Sequence, residues 1–433
     1  MEGFRALRER ARGFATGPRR ERALACSRVA VVLTALALGL HIDRAGRLDG
    51  AHLGWGSGPI DLVLSPDGSR LFVAQINENA VLALAPDDGR VLERATFAGR
   101  PLVLTWSARH GRPLVSFQDR PDVCEVRAAA KATRQPWLAW KESGPEVQWT
   151  QIARRTGDDR CFVPEGPNPE RETRSADTGS SRSPADATAA TQREASSSAR
   201  WNFGTWGMAT EADGSLVCVR NDGREQQAAE AIQVLRMRPR EPSGWEPAGA
   251  SPWISLGRRD WAALPWPVVP VAATGEVVVV EPPGGRIYVL DASLRVERSA
   301  SVGRYVKSIV LDADRDRIYA ADEKDGVVRA VDFRTLAVVD ERATGAGPLG
   351  LLADPDTGSL WVANHFSDRI SRLAVPGLEP RGVLAAPARP VALALDRANR
   401  RLFAAQLRTG TVVRWDGVGG DATTPAMTTL LAP

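Results

Sequence analysis

With 433 residues, 43% of them hydrophobic and 25% charged, the chain has enough apolar bulk for a large buried core and is not a disordered polymer. Its formal charge of +4 does not describe a nucleic-acid binder, because residues 1–28 hold eight arginines against three glutamates and the remainder is close to −1. The four cysteines, at positions 26, 124, 161 and 218, form no C-x-x-C pair, no haem-attachment pattern and no disulfide framework; the one bridge considered joins Cys161 to Cys218.

The basic arm is followed by a twelve-residue run without charge, Val29 to Leu40, inside a mostly apolar stretch from Ala23 to Ile42. A basic segment ahead of a short apolar one is the pattern of an export signal, and a slightly longer apolar segment would be a membrane anchor. Both readings stay open, since no small-residue cleavage site follows. Residues 1–43 are therefore assigned to a basic arm plus a hydrophobic signal or anchor helix, with the arm cytoplasmic and the rest of the chain exported. Residues 44–57 are a linker or a ring-closing strand.

Beyond residue 58 a phrase returns. GPIDLVLSPDGSRLFVAQ at Gly58, VKSIVLDADRDRIYAAD at Val306, GPLGLLADPDTGSLWVAN at Gly347 and RPVALALDRANRRLFAAQ at Arg389 share an apolar strand, a polar turn and a second strand. The aromatic after the turn falls at Tyr319, Trp361 and Phe403, spaced 42 residues apart. A period of about 40 to 45 residues with several short strands per unit is that of β-propeller blades, each a four-stranded antiparallel sheet. Strand openings near 60, 101, 147, 205, 268, 306, 349 and 390 predict eight blades. Seven follow if the incomplete unit at Val147 belongs to its neighbour. That unit runs into residues 165–200, so poor in apolar bulk that they read as a disordered insertion. Tryptophans at 201, 206, 245, 253, 261 and 266 suit either a ligand surface or packing between blades.

The phrases Leu71-Phe-Val-Ala-Gln75, Ile318-Tyr-Ala-Ala-Asp322, Leu360-Trp-Val-Ala-Asn364 and Leu402-Phe-Ala-Ala-Gln406 resemble the repeat of the YVTN (YncE-like) β-propellers, a bacterial family. The likeness is good over residues 58–99 and 304–416 and weak from 144 to 270. It implies an exported, periplasmic or surface propeller, in some cases beside redox partners, and implies no particular chemistry.

Propeller geometry puts the residues before each first strand and after each second strand on one rim. Arg100, Arg304 and Arg389 stand in the first position, with Arg258 a looser fourth; Gln75, Asn77, Asp322, Glu323, Asn364, His365 and Gln406 stand in the second. Guanidinium and amide groups converging there would bind a carboxylate, phosphate or sugar, so these residues, Arg258 set aside, are the ten of the expected ligand-binding rim. The acids at 67, 312, 314, 316, 354 and 356 belong to first-hairpin turns on the opposite face, where aspartate caps its own backbone.

No catalytic constellation is legible. The histidines at 41, 52, 110 and 365 lack metal-ligand spacing, there is no G-x-S-x-G elbow, and no cofactor or metal is called for. The expected function is a binding module for a protein or small polar or anionic ligand. Two alternatives are a propeller enzyme of lactonase or lyase type, using Glu78, Asp322 and Glu323 with a divalent ion, and a structural scaffold of the envelope.

Overall fold

The computed structural model describes residues 58–118, 122–127, 160–162, 164, 205–221, 231–240, 244–255, 267–419 and 425–431. The basic arm, the expected helix at 23–42, the segment 44–57 and the insertion at 165–200 all lie outside them. Among the described residues, no helix is long and apolar enough to cross a membrane.

Among the described residues, twenty-nine strands form seven antiparallel sheets, the strands of each following one another in chain order. Blade 1 is β1 Pro59–Leu64, β2 Leu71–Gln75, β3 Ala80–Leu84 and β4 Val91–Thr96. Blade 2 is β5 Pro101–Ser107, β6 Arg112–Phe117, β7 Val123–Glu125 and β8 Cys161–Phe162. Blade 3 is β9 Thr205–Thr210, β10 Leu216–Asn221, β11 Ala231–Pro239 and β12 Trp245–Ala250, with β13 Ile254–Ser255 also paired to β11. Blade 4 is β14 Val268–Pro270, β15 Val277–Glu281, β16 Arg286–Leu290 and β17 Val296–Ser301. Blade 5 is β18 Val306–Asp312, β19 Arg317–Asp322, β20 Val327–Asp332 and β21 Val338–Ala343. Blade 6 is β22 Pro348–Asp354, β23 Ser359–Asn364, β24 Arg369–Ala374 and β25 Pro380–Ala385. Blade 7 is β26 Pro390–Asp396, β27 Arg401–Gln406, β28 Thr411–Asp416 and β29 Met427–Leu431.

The count of eight blades is thus corrected to seven. Residues 160–162, read as part of a broken unit at Val147, supply the fourth strand of blade 2: Cys124 stands opposite Cys161 in the β7–β8 register and the two form a disulfide. The same pairing answers whether Cys161 and Cys218 are joined: they are not, and Cys218 is a buried free thiol in β10. Buried Arg160 reinforces β8, donating to the carbonyls of Arg127 (2.7 Å) and Thr96 (3.0 Å) with its guanidinium 4.6 Å from the Phe97 ring. Ring closure uses β29 as the fourth strand of blade 7.

Burial explains the strand sequences. Middle strands such as β2, β3, β15 and β23 are buried at every residue, because neighbouring blades cover both faces. Outer strands β17 and β21 have alternate residues exposed and are correspondingly polar. The core lies between blades: Val278, Val280 and Ile287 meet Ile309, Ile318 and Val331, while Tyr319 and Val328 meet Leu360 and Leu373. Each such side chain contributes about 1.5–3 kcal/mol when fully buried. The repeated aromatic is the wedge, with Tyr319 entering the cluster shared with blade 6, Trp361 the one shared with blade 7, and Phe72 reaching Trp106 of blade 2 at 6.1 Å.

Opposite that position on the third strand, three blades carry an arginine: Arg236 faces Val217, Arg372 faces Trp361 and Arg414 faces Phe403. Each donates to backbone carbonyls in the link between the third and fourth strands of the following blade. Arg236 reaches Ala292 (2.6 Å), Arg372 reaches Gly419 (2.9 Å), and Arg414 reaches Pro86 (2.8 Å) and Asp87 (2.5 Å). The last of these joins blade 7 to blade 1. Gly89, at φ +75°, lies so close to the Leu430 backbone that no Cβ fits at this seam.

Candidate functional site

The turns between second and third strands share a face with the connections between blades, and the same backbone bond shows it four times. The amides of Gln118, Glu323, His365 and Leu407 donate to the carbonyls of Arg100 (2.9 Å), Tyr305 (3.0 Å), Gly347 (2.8 Å) and Arg389 (3.0 Å). All ten expected rim residues belong to this face, but their side chains divide into two groups.

Gln75, Asp322, Asn364 and Gln406 end their second strands and are buried. Asp322 accepts from the backbone amides of Arg304 (2.6 Å), Tyr305, Lys324 and Asp325 (3.2 Å each), and from Arg329 Nη1 at 2.6 Å. Asn364 Nδ2 donates to Ser371 Oγ at 3.0 Å, and Gln406 Oε1 accepts from Thr411 at 3.0 Å. In blades 4, 5 and 6 the partner lies seven residues on, as Glu281–Tyr288, Asp322–Arg329 and Asn364–Ser371. These pairs stitch the second strand to the third.

The remaining rim residues occupy the loops. The Arg304 side chain is 70% exposed and pairs with Asp325 at 3.1 Å. Arg389 takes a left-handed φ of +59°, its amide held by Asp368 Oδ1 at 2.8 Å and its guanidinium 5.9 Å from the Phe366 ring. Arg100 and Glu323 are half-buried and Asn77 is exposed. Glu78, invoked for an ion-dependent enzyme, pairs instead with Arg94 at 2.8 Å. It is not brought together with Asp322 and Glu323, which belong to blade 5, three blades away around the ring. Among the described residues, the group with cation-ligand geometry is Asp122, Cys124 and Cys161, whose two sulfurs are bonded to each other.

The first strands of blades 1, 2, 5, 6 and 7 share a register shift just after their first pair. The residue skipped is Ile60, Leu349 or Val391 in blades 1, 6 and 7 and Lys307 in blade 5, while blade 2 skips the pair Leu102 and Val103. Lys307 is only 5% exposed, and burial lowers its pKa to about 8 although Glu323 pulls the other way. Its ammonium lies 4.6 Å from the Tyr305 ring centroid, and that of Lys324 lies 4.8 Å from the same ring. Burial pushes the Glu323 carboxyl up against the opposing charges of both lysines.

In blade 6, His365 is 8% exposed, and its Nδ1 has no hydrogen-bond partner among the described residues. Burial first, and then the charge of Arg389, lower the imidazole to about 4, with Lys307 adding to the effect. Phe366 meets the imidazole edge-on at 4.7 Å and is itself 58% exposed. Sequence reading placed His365 and Glu323 here but missed Lys307 and Tyr305. A signal for Lys307 was present, as the one lysine where aligned phrases carry an aliphatic residue.

On the opposite face the turn acids are consumed locally. Asp67 accepts from Ser65 Oγ, Ser69 N and Ser69 Oγ, and these bonds lower its pKa to about 2. Gly68, at φ +70°, completes that turn. Asp354 takes Thr357 Oγ1 at 2.6 Å and Arg400 of blade 7 at 2.6 Å, while Asp356 pairs with Arg397. Trp245 stacks on Phe162 at 5.2 Å between blades 2 and 3, the packing alternative for the tryptophans.

No family model and no curated protein matches the chain. Among solved structures it is similar to the WD40 β-propeller domain of Doa1, at 11% identity and a TM-score of 0.50, over 82% of this chain and 94% of that one. It is also similar to hydrazine synthase of Kuenenia stuttgartiensis, at 12% identity and a TM-score of 0.54, over 84% of this chain and 97% of that one. At such identities the likeness shows the fold alone, an all-β propeller of four-stranded blades.

Proposed function

We propose that the protein is a binding propeller of the YVTN-repeat kind, exported or tethered through residues 23–42, whose loop face on blades 5 to 7 receives a protein or a polar ligand. One contrast carries this reading. On the loop face, titratable groups at Lys307 and His365, both buried, and at half-buried Glu323 have pKa values displaced by burial, beside an exposed phenyl ring at Phe366. On the opposite face the acids are spent on turns and arginine pairs. A fold gains little from burying ionisable groups without need, and such clusters concentrate where ligands bind.

Photo-crosslinking residues placed at Phe366 and, for comparison, at exposed Asp314 on the opposite face test the proposal in the cells that make the protein. Discrete adducts from position 366 that vanish in the Arg304→Ala, Arg389→Ala double variant support it. Adducts from 314 alone would reverse the assignment of faces.

A further inference from the structure

We propose that Trp253 and Phe366 are two stacking platforms on the loop face for a neutral saccharide, a β-1,4-linked chain of pyranoses; this rests on the binding reading above and names the ligand's chemistry.

Among the described residues, the exposed aromatic rings are these two, Trp253 at 46% and Phe366 at 58%. Both belong to the loop face. Phe366 lies in the turn between β23 and β24 of blade 6, and Trp253 precedes β13, whose pairing with Ala231 and Ile232 at the start of β11 puts it at the same end of blade 3. Both rings are also held in place. Gly347, at φ +65°, lies so close to Phe366 that a Cβ there would collide with the phenyl ring, and the His365 imidazole meets that ring edge-on at 4.7 Å. Arg220 lies 5.3 Å from the Trp253 indole and is itself fixed by Gln233 Oε1, while Gln233 Nε2 donates to the Ser251 carbonyl at 2.8 Å. A ring fixed beforehand loses little freedom when a ligand stacks on it.

The surroundings select the ligand. Phe366 is flanked by His365, Ser367 and Asp368, and Trp253 by Ser251, Arg220 and Gln233, so each ring stands in polar company and not in a broad apolar patch of the kind that marks a protein or membrane contact. A pyranose with equatorial hydroxyls fits that pattern, because its flat C–H face covers an aromatic ring while its hydroxyls meet the polar rim. Beside Phe366 two buried atoms have no hydrogen-bond partner among the described residues: His365 Nδ1, and Thr344 Oγ1 in the link whose Ala346 carbonyl accepts from the Phe366 amide at 3.0 Å. The hydroxyl is neutral, and burial keeps the imidazole neutral down to about pH 4, so both suit a hydroxyl group and neither asks for a charged one. The platforms stand on blades 3 and 6, three blades apart in the ring, which calls for a chain of sugars instead of a single one.

The test is calorimetric titration of the full chain with cellohexaose and, separately, with chitohexaose, each at low and at high chloride. Saturable binding of at least one is expected, insensitive to salt because the ligand is neutral. Phe366→Ala and Trp253→Ala should each weaken it about tenfold without lowering the melting temperature, and Phe366→Trp, which restores a ring, should retain it. No saturable binding of either hexasaccharide, or wild-type affinity in both alanine variants, overturns the proposal, and loss in one of them alone overturns the two-platform arrangement. If position 366 still crosslinks to a protein while both hexasaccharides fail, the saccharide site falls and the loop-face reading stands.

Discussion

Closure of the ring depends on Arg414. This side chain, 13% exposed, crosses from β28 of blade 7 to the carbonyls of Pro86 and Asp87 in blade 1, where Arg401 also pairs with Asp87. Arg414→Met keeps the aliphatic stem against Phe403 and removes both bonds to blade 1. Hydrogen bonds from a charged donor contribute about 1.5–3 kcal/mol each, and partial solvation of the freed carbonyls returns some of that, so the expected loss is about 3 kcal/mol. Taking the propeller as roughly 300 residues, at about 2.1 cal/mol/K of unfolding entropy per residue, this corresponds to a fall of about 5 °C in melting temperature. Hydrogen exchange should speed up first in β29 and in the link around Gly89, before the blade 4–5 core. Arg334→Ala, at a side chain 76% exposed, is the control and should be neutral. An Arg414→Met protein that melts with the wild type and exchanges β29 no faster would refute the claim that this arginine holds the seam.

Three further predictions concern other parts of the ring. Burial raises Asp61 to about 7 although Leu104 N (2.7 Å) and Leu62 N (2.9 Å) donate to it, so the folded protein takes up a proton the unfolded chain does not. That contribution is complete below the unfolded pKa near 4 and disappears as pH rises through 7; melting curves of Asp61→Asn should therefore lose the decline between about pH 4 and 7, and parallel curves would count against it. For His365 the sign is opposite. Its depressed pKa favours the fold above about 6.5 and withdraws that support toward pH 4, and the imidazole should titrate by NMR near 4 rather than 6.5. The Cys124–Cys161 bridge closes a 37-residue separation, worth about 4 kcal/mol in the chain-entropy account, so reductant should lower the wild-type melting temperature and leave that of Cys124→Ala, Cys161→Ala unchanged.

Repetition made the architecture legible. A residue type that recurs every 42 positions reveals its role by recurrence, which is why the wedge aromatics and turn aspartates could be read directly. Blade 2 defeated that logic because its fourth strand is two residues long and arrives after a long detour, leaving no periodic trace; only its pairing with Cys124 reveals it. The ten rim residues share one face, yet strand phase could not tell which polar ends turn inward. Asp322 and Asn364 look like ligand groups in the sequence because the partners that absorb them, Arg329 and Ser371, sit seven residues away on another strand. Lys307 is the converse, a charged residue concealed in an apolar phrase that stands out only once the shared register shift aligns the blades.

Each of the seven sheets is woven from one uninterrupted stretch of chain order, and none borrows a strand from another. Cutting the polypeptide in any connection between blades and rejoining it elsewhere would therefore leave every sheet with all of its own strands. The architecture has no privileged starting point, and it is held together at blade boundaries by wedged aromatics and reaching arginines rather than by the path of the backbone. A ring built this way can be re-cut, or lengthened by a blade, through changes confined to the residues at a single boundary.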